Sequence, residues 1–392
     1  MHRTLRICLM ALLALWGEAT AQPRHVYLTW EHADTARTQT IVFQTLDRAT
    51  DPRVEFLPLG RAESVTIASK TGMFRGHPRR VHWVTLTGLE PATTYRFRAG
   101  DTRYGMSKWR TFKTLPADKG PVKVITGGDM FSKEAAVELL RAGAERKPDV
   151  GLVGGDIAYA GGEYRNLLYW DRWLDNWDEN LVHKDGRMVP MICAIGNHEV
   201  QGSFGQPKHR APFYFAFFPQ GGEAYFTRRL GSEMDLVVLD SGHVNSHRSQ
   251  VGFLEEALSQ SKSPYQIALY HVPCYPTYRS YNEPYSQAGR EHWVPIFDKH
   301  RLPVAFENHE HCFKRTHPLS GGKVVEKEGT VYLGDGCWGM EARDIKGKRW
   351  YHAKAESRQH VWLFQNSSEG IHCQAVDTEG AVFDEVTISS RR

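Results

Sequence analysis

Five times along this 392-residue chain a short apolar run stops and metal-binding residue types follow at once. The run at 122–126 leads into Gly127-Gly128-Asp129, and the run at 149–154 into Gly155-Asp156 with Tyr159 beyond it. The run at 188–195 leads into Gly196-Asn197-His198-Glu199, that at 266–270 into His271, and that at 302–306 into Asn308-His309-Glu310-His311. Runs of this length suit strands buried on both faces. Ala136, Leu139 and Leu140 within 132–146, and Phe253, Leu254, Ala257 and Leu258, have helical spacing between them, and a Trp-rich segment fills 164–177. Such alternation predicts an α/β domain over 121–392. Its polar residues then fall at the carboxyl ends of strands, where α/β folds place their sites. The glycines are expected to let the backbone turn sharply. In a strand-like segment His309 and His311 would share a face.

Taken singly these signals are cheap. Asp129 alone reads as a helix N-cap, and His271 alone as a loop residue. Gly-Asn-His-Glu is more specific. In this order, the set supplies seven oxygen and nitrogen donors to one sheet edge, as two adjacent metal ions sharing a carboxylate require.

Before residue 115 the texture is different. Val26, Leu28 and Trp30 alternate with polar neighbours, as do Ile41 and Phe43, Val65 and Ile67, and Val81, Trp83 and Thr85. That period predicts a half-buried antiparallel β-sandwich over 22–115, with 115–121 as linker. Arg3 and Arg6 precede an apolar stretch, and Ala19-Thr20-Ala21 forms a cleavage signal. Residues 1–21 are therefore expected to be a signal peptide, making the protein secreted or periplasmic with no stable membrane anchor. The net charge of +4 is dispersed, so no nucleic-acid-binding surface is evident. Of six cysteines, Cys8 would leave with the leader, and the remaining five show no disulfide framework.

The whole set resembles the calcineurin-like metallophosphoesterases, and within them the purple acid phosphatases. Their pattern is Asp-x-Gly, Gly-Asp-x-x-Tyr, Gly-Asn-His-Asp/Glu, Val-x-x-His and Gly-His-x-His after a fibronectin type III-like domain. Leu89 to Phe97, with Tyr95, resembles the tyrosine-corner segment of such domains. The resemblance implies two sheets flanked by helices, with Asp129, Asp156, Tyr159 and His311 holding one ion. Asp156, Asn197, His271 and His309 would hold the other, with Asp156 bridging. It implies Fe³⁺ in the Tyr159 site, because a phenolate suits a hard cation, and Zn²⁺, Mn²⁺ or Fe²⁺ in the other. Three departures stand out. Met130-Phe131 replaces x-Gly, Asn308 replaces Gly, and Phe313-Lys314 replaces Tyr-Glu before Arg315. A Cys274–Cys312 bridge would require two loops to meet.

By that resemblance the protein is an acid phosphatase acting on small phosphate esters by attack of a metal-bound hydroxide. His198 is the candidate to hydrogen-bond the phosphate or protonate the leaving group, against a merely orienting role. Tyr275, Tyr278, Tyr281 and Trp338 either wall the pocket or simply pack. The ligands do not separate a monoesterase from a phosphodiesterase acting on nucleotides or phospholipid headgroups, since that choice lies in loops such as 201–218. A secreted binding protein with a vestigial metal centre is the reading from another class.

Overall fold

The computed structural model describes residues 23–45, 49–73 and 77–389. The expected signal peptide, Gln22 and Cys8 lie outside them. Two sheets form the N-terminal sandwich. One has the order β1 (Arg24–Thr29), β2 (Gln39–Thr45), β6 (Arg80–Leu86), β5 (Lys70–Met73). The other has the order β4 (Val65–Ala68), β3 (Pro52–Pro58), β7 (Thr94–Asp101), β8 (Gly105–Met106), and β9 (Arg110–Lys113) also pairs with β7. Val26, Leu28, Ile41, Phe43, Val54, Val84, Phe97 and Phe112 fill the space between them. The Tyr95 hydroxyl accepts a hydrogen bond from the Glu90 backbone N–H at 2.9 Å, as a tyrosine corner should.

The expectation of a half-buried sandwich fails on one sheet. β1 and β2 are buried on both faces, because the outer face packs against the helix Leu167–Asn180. Tyr27, Val42 and Val81 share a core with Trp170, Trp173 and Trp177 of that helix. Polar ties also join the sandwich to the rest of the chain. Arg79 forks onto Asp171 at 2.6 and 2.9 Å, and Arg228 donates to the Trp30 carbonyl at 2.6 Å. On the other sheet β4 is an exposed edge, so its Val65–Ile67 alternation covers little.

From residue 123 onward two sheets stack face to face. The first runs β12 (Met191–Ala194), β11 (Val150–Gly154), β10 (Lys123–Gly127), β22 (Val361–Asn366), β23 (Ile371–Val376), β24 (Val382–Ile388). The second runs β13 (Phe226–Leu230), β14 (Met234–Val238), β15 (Tyr265–Leu269), β16 (Val304–Phe306), β20 (Val331–Gly334), β17 (Phe313–Thr316), β21 (His352–Glu356). A small hairpin, β18 (Leu319–Ser320) and β19 (Lys323–Val324), stands apart. Strands β10–β12, and β14, β15, β16 and β20, pair in parallel.

The period of two explains the layers. Val124, Leu152, Ile192, Leu236, Ile267 and Val304 point between the sheets. Their neighbours Ile125, Val153 and Cys193 point out to the helices Glu134–Glu145 and Leu167–Asn180. Val237, Ala268 and Ala305 point out to the helices Val251–Gln260 and Val294–Lys299. With both faces covered, central strands such as β11 and β12 are apolar throughout.

Candidate metal centre

All five polar segments meet at one edge, from strands β10, β11, β12, β15 and β16. The expected ligands divide into two groups. In the first, Asp129 Oδ1 lies 2.9 Å from His311 Nε2, and the Tyr159 hydroxyl lies 3.3 Å from the same Oδ1 and 3.2 Å from His311 Nε2. In the second, His271 Nε2 lies 3.3 Å from Asp156 Oδ2, 3.2 Å from Asn197 Oδ1 and 3.0 Å from His309 Nδ1. The ligand atoms of Asp129, Asp156, His271 and His309 all fall within 4.8 Å of one another. Asp156 therefore stands within reach of both groups.

The chemistry of the second group fits a cation. His271 Nδ1 donates to the Gly154 carbonyl at 2.8 Å, so the neutral ring presents only a lone pair at Nε2. Asp156 Oδ2, Asn197 Oδ1 and that lone pair are all acceptors around one point. Only a proton or a metal ion reconciles them. Burial would depress the His271 imidazole, but the charges of Asp156 and Asp129 outweigh it and lift it to about 9. For Asp156, burial is outweighed by the charge and hydrogen bond of His271, which hold it far below the usual carboxylate range.

The local backbone differs from expectation. His309 and His311 share no strand face. They lie in the loop after β16, at φ +78° and +55°, which turns both rings inward. Asp129, Asp156 and Tyr159 are also left-handed, at +56°, +49° and +60°. Among the flanking glycines only Gly155 has positive φ. The others are needed for close approach. A Cβ on Gly154 would meet Asn308 Nδ2 at 1.9 Å, one on Gly128 would meet Asn308 Oδ1 at 2.6 Å, and one on Gly196 would meet the Asp156 nitrogen at 2.3 Å.

Buried carboxylates clasp these loops, and sequence reading missed their work. Glu199 accepts from the backbone N–H groups of Asp156, Ile157 and Gly196 at 2.8–2.9 Å. Glu310 accepts from Tyr278 N, Arg279 N and the Arg279 guanidinium at 2.6–2.7 Å. The available signal was a carboxylate inside each ligand motif, flanked by residues that must bury.

His198 reaches the mouth, with its side chain 44% exposed. Its ring stacks on Tyr159 at 4.2 Å, and its Nε2 lies 3.9 Å from Asp156 Oδ2. Phe204 stacks on Tyr285 and His243 at 4.0 and 4.8 Å and meets His309 edge-on at 6.4 Å, a wall that sequence reading did not find. Of the four aromatics singled out, Tyr275 and Trp338 are buried packing residues, Tyr281 is partly buried, and Tyr278 is exposed. The five described cysteines are free and buried, so Cys274 and Cys312 form no bridge.

Comparison with known proteins follows the same division. Residues 23–114 match the N-terminal domain of purple acid phosphatases, and residues 109–313, more than half of the chain, match the calcineurin-like phosphoesterases. The chain belongs to the purple acid phosphatase family. Similar proteins include purple acid phosphatases 15 and 23 of Arabidopsis thaliana, both 25% identical over 65% of this chain. An uncharacterized protein of Mycobacterium tuberculosis is 25% identical over 73% of it. The matches span 53%, 62% and 61% of those relatives' own lengths, so the chain covers less than two thirds of each. Among solved structures, PhoD superposes with a TM-score of 0.67 at 14% identity, over 94% of this chain and 90% of that one. GAP50 of Plasmodium gives 0.53 at 12% identity, over 70% of this chain and 90% of its own. At such identities the likeness is one of fold.

The departures from the family pattern have physical accounts. Phe131 occupies the position of the pattern's Gly at φ +52°, and it packs edge-on against Tyr159 and Tyr169 at 5.6 and 5.5 Å. Asn308 fills the space above Gly128 and Gly154 and donates to the Tyr270 carbonyl at 2.9 Å. Lys314 is fully buried between Glu307 and Asp335, 2.5 Å from each, so the changed residue is neutralised locally.

Proposed function

We propose that this chain is a phosphomonoesterase working at a two-cation centre, with Asp129, Tyr159 and His311 holding one ion and Asn197, His271 and His309 the other. Asp156 serves both. The observation that carries this reading is the pair of donor groups meeting at one carboxylate, in which acceptor atoms face one another across about 3 Å. When bound, such a pair of ions supplies Lewis acidity to a phosphoryl group and lowers the pKa of water.

The chain's own residues do the rest. Glu199 and Glu310 hold the ligand loops in place. His198, exposed beside Asp156, is placed to give a proton to the departing oxygen or to hydrogen-bond the phosphate. The Phe204, Tyr285 and His243 stack shields the His309 side from water. Burial and the charge of Asp129 push the Tyr159 phenol well above its ordinary range, so a phenolate there calls for a highly charged cation. We assign that group to Fe³⁺ and the His271 group to Zn²⁺, Mn²⁺ or Fe²⁺. The signal-like residues 1–21 support an exported enzyme, and no described helix is long and apolar enough to cross a membrane.

Turnover of p-nitrophenyl phosphate against its bis-ester, with elemental analysis of the same sample, tests the reading. Two metals per chain and preference for the monoester are expected. Preference for the bis-ester makes it a phosphodiesterase, and metal without turnover of either makes it a binding protein.

A further inference from the structure

Two arginines flank the loop that carries His309 and His311, and each is tied to one of those histidines. Arg279 donates through Nη1 to the His309 carbonyl at 2.9 Å, and its side chain remains 32% exposed. Arg343 donates through its backbone N–H to the His311 carbonyl at 2.8 Å. The side chains differ in how their charge is met. The Arg279 guanidinium is matched by Glu310 at 2.7 Å. The partly buried Arg343 guanidinium has no hydrogen-bond or carboxylate partner among the described residues. It lies 5.2 Å from the centre of the exposed Tyr278 ring.

An unmatched guanidinium leaning on an aromatic face is held in place, yet its fork of donors is free. Other cations stand near it in sequence. Lys346 and Lys348 follow on the same irregular segment, and Arg349 binds the Arg279 carbonyl, which brings that segment against the lip of the site. Glu341 and Asp344 are the nearby acids in sequence, and Glu341 is engaged by Lys133 at 3.1 Å. Phe204 and Tyr285, stacked beside His309, form an aromatic part of the wall.

We propose that Arg343, supported by Tyr278, forms a subsite for a second anionic group on the substrate. The favoured substrate would be a phosphate ester or anhydride whose departing portion carries another phosphate. This rests on the phosphomonoesterase reading. A guanidinium binds such a group bidentately, and Lys or Gln cannot reproduce the fork.

The test compares p-nitrophenyl phosphate with pyrophosphate and tripolyphosphate, using wild type, Arg343→Gln and Arg343→Lys. In Arg343→Gln the kcat/KM for tripolyphosphate relative to p-nitrophenyl phosphate should fall roughly 10–100-fold, the range for one charged hydrogen-bonded contact. Most of the fall should lie in KM, with Arg343→Lys recovering part of it. An equal loss on all three substrates would place Arg343 on the transferred phosphate, and no loss would leave it a packing residue. Either result overturns the subsite. Wild type inert towards p-nitrophenyl phosphate would instead overturn the phosphomonoesterase reading.

Discussion

Among the described residues the sandwich holds two non-glycine residues at positive φ, His25 and Ala92, whereas the metal edge holds six: Asp129, Phe131, Asp156, Tyr159, His309 and His311. A left-handed side chain costs about 1–3 kcal/mol where nothing compensates it. The sandwich rests on burial, and arginine–aspartate pairs such as Arg79–Asp171 and Arg110–Asp178 tie it to the Trp-rich helix. The metal edge spends stability gained elsewhere to aim its candidate ligands, and fully buried Glu199 and Glu310 hold the result. The difference separates residues that make the fold from residues that make the site. It also says where a mutation should affect turnover and where it should affect only stability.

The sharpest attempt to break that separation is Asp156→Asn. The amide keeps the shape but loses the charge that both donor groups share. Metal content should fall from two ions per chain towards none, with turnover at background. Two ions retained by elemental analysis would remove Asp156 from its shared role.

His198→Ala comes next. It should lower kcat about 10²–10⁴-fold on poor leaving groups, the usual span for a general acid, and less on p-nitrophenyl phosphate, with metal content unchanged. An equal loss on phenyl and p-nitrophenyl esters would assign His198 to phosphate binding.

Glu199→Ala probes the clasp itself. It leaves three backbone N–H groups unpaired, each costing about 1–3 kcal/mol if buried. Metal affinity should weaken roughly 10–100-fold, as for other groups that orient ligands. Glu199→Gln should recover part of it, since its oxygen still accepts. Metal titration of both variants beside their melting curves decides the matter, and a lower Tm with unchanged affinity would make Glu199 structural only.

The same contrast explains what could be read beforehand. Strands such as 150–154 and 265–269 were legible because burial on both faces makes nearly every residue apolar, Gln266 alone being a polar exception bonded to the Leu258 carbonyl. Tyr95 was legible through its Leu-x-Pro context. The candidate ligands stood out because each follows such a strand. The manner of their convergence was not, since backbone sign in a loop leaves no periodicity. His309 and His311 converge by two left-handed residues, and Gly154 serves Asn308 rather than a turn. The burial of β1 and β2 on both faces was also hidden, because the covering Trp-rich helix lies more than a hundred residues downstream. Arg343 gave no signal, since its place depends on a loop that only the fold brings to the site.

Tyr159→Phe should have a smaller effect on rate than the changes above. The ring still stacks on His198 and packs against Phe131, so folding should be unaffected. An iron-loaded wild type should show a phenolate-to-iron absorption band that the variant lacks, while turnover falls less than the band does. A colourless iron-loaded wild type would move the Tyr159 group to Zn²⁺ or Mn²⁺.

The smallest expected effect on turnover belongs to the sandwich seam, where Arg79→Leu removes the fork onto Asp171. Both partners are largely buried, and uncoupling such a pair costs roughly 3–5 kcal/mol. For Asp171, burial alone would raise the carboxyl. Hydrogen bonds from His25 and Arg79, with the Arg79 charge, outweigh it and hold the group well below the usual range. A depressed folded-state pKa contributes stability that is complete above the unfolded value near pH 4 and is lost as pH falls through the folded value. Denaturant melts should therefore show the full gap between wild type and Arg79→Leu at pH 7, narrowing below about pH 4. At pH 7 and moderate temperature, kcat and metal content per folded chain should match wild type. A variant that stays folded yet loses metal would show that strain at the ligand loops is held in part by the sandwich, and the two regions would then form one energetic unit.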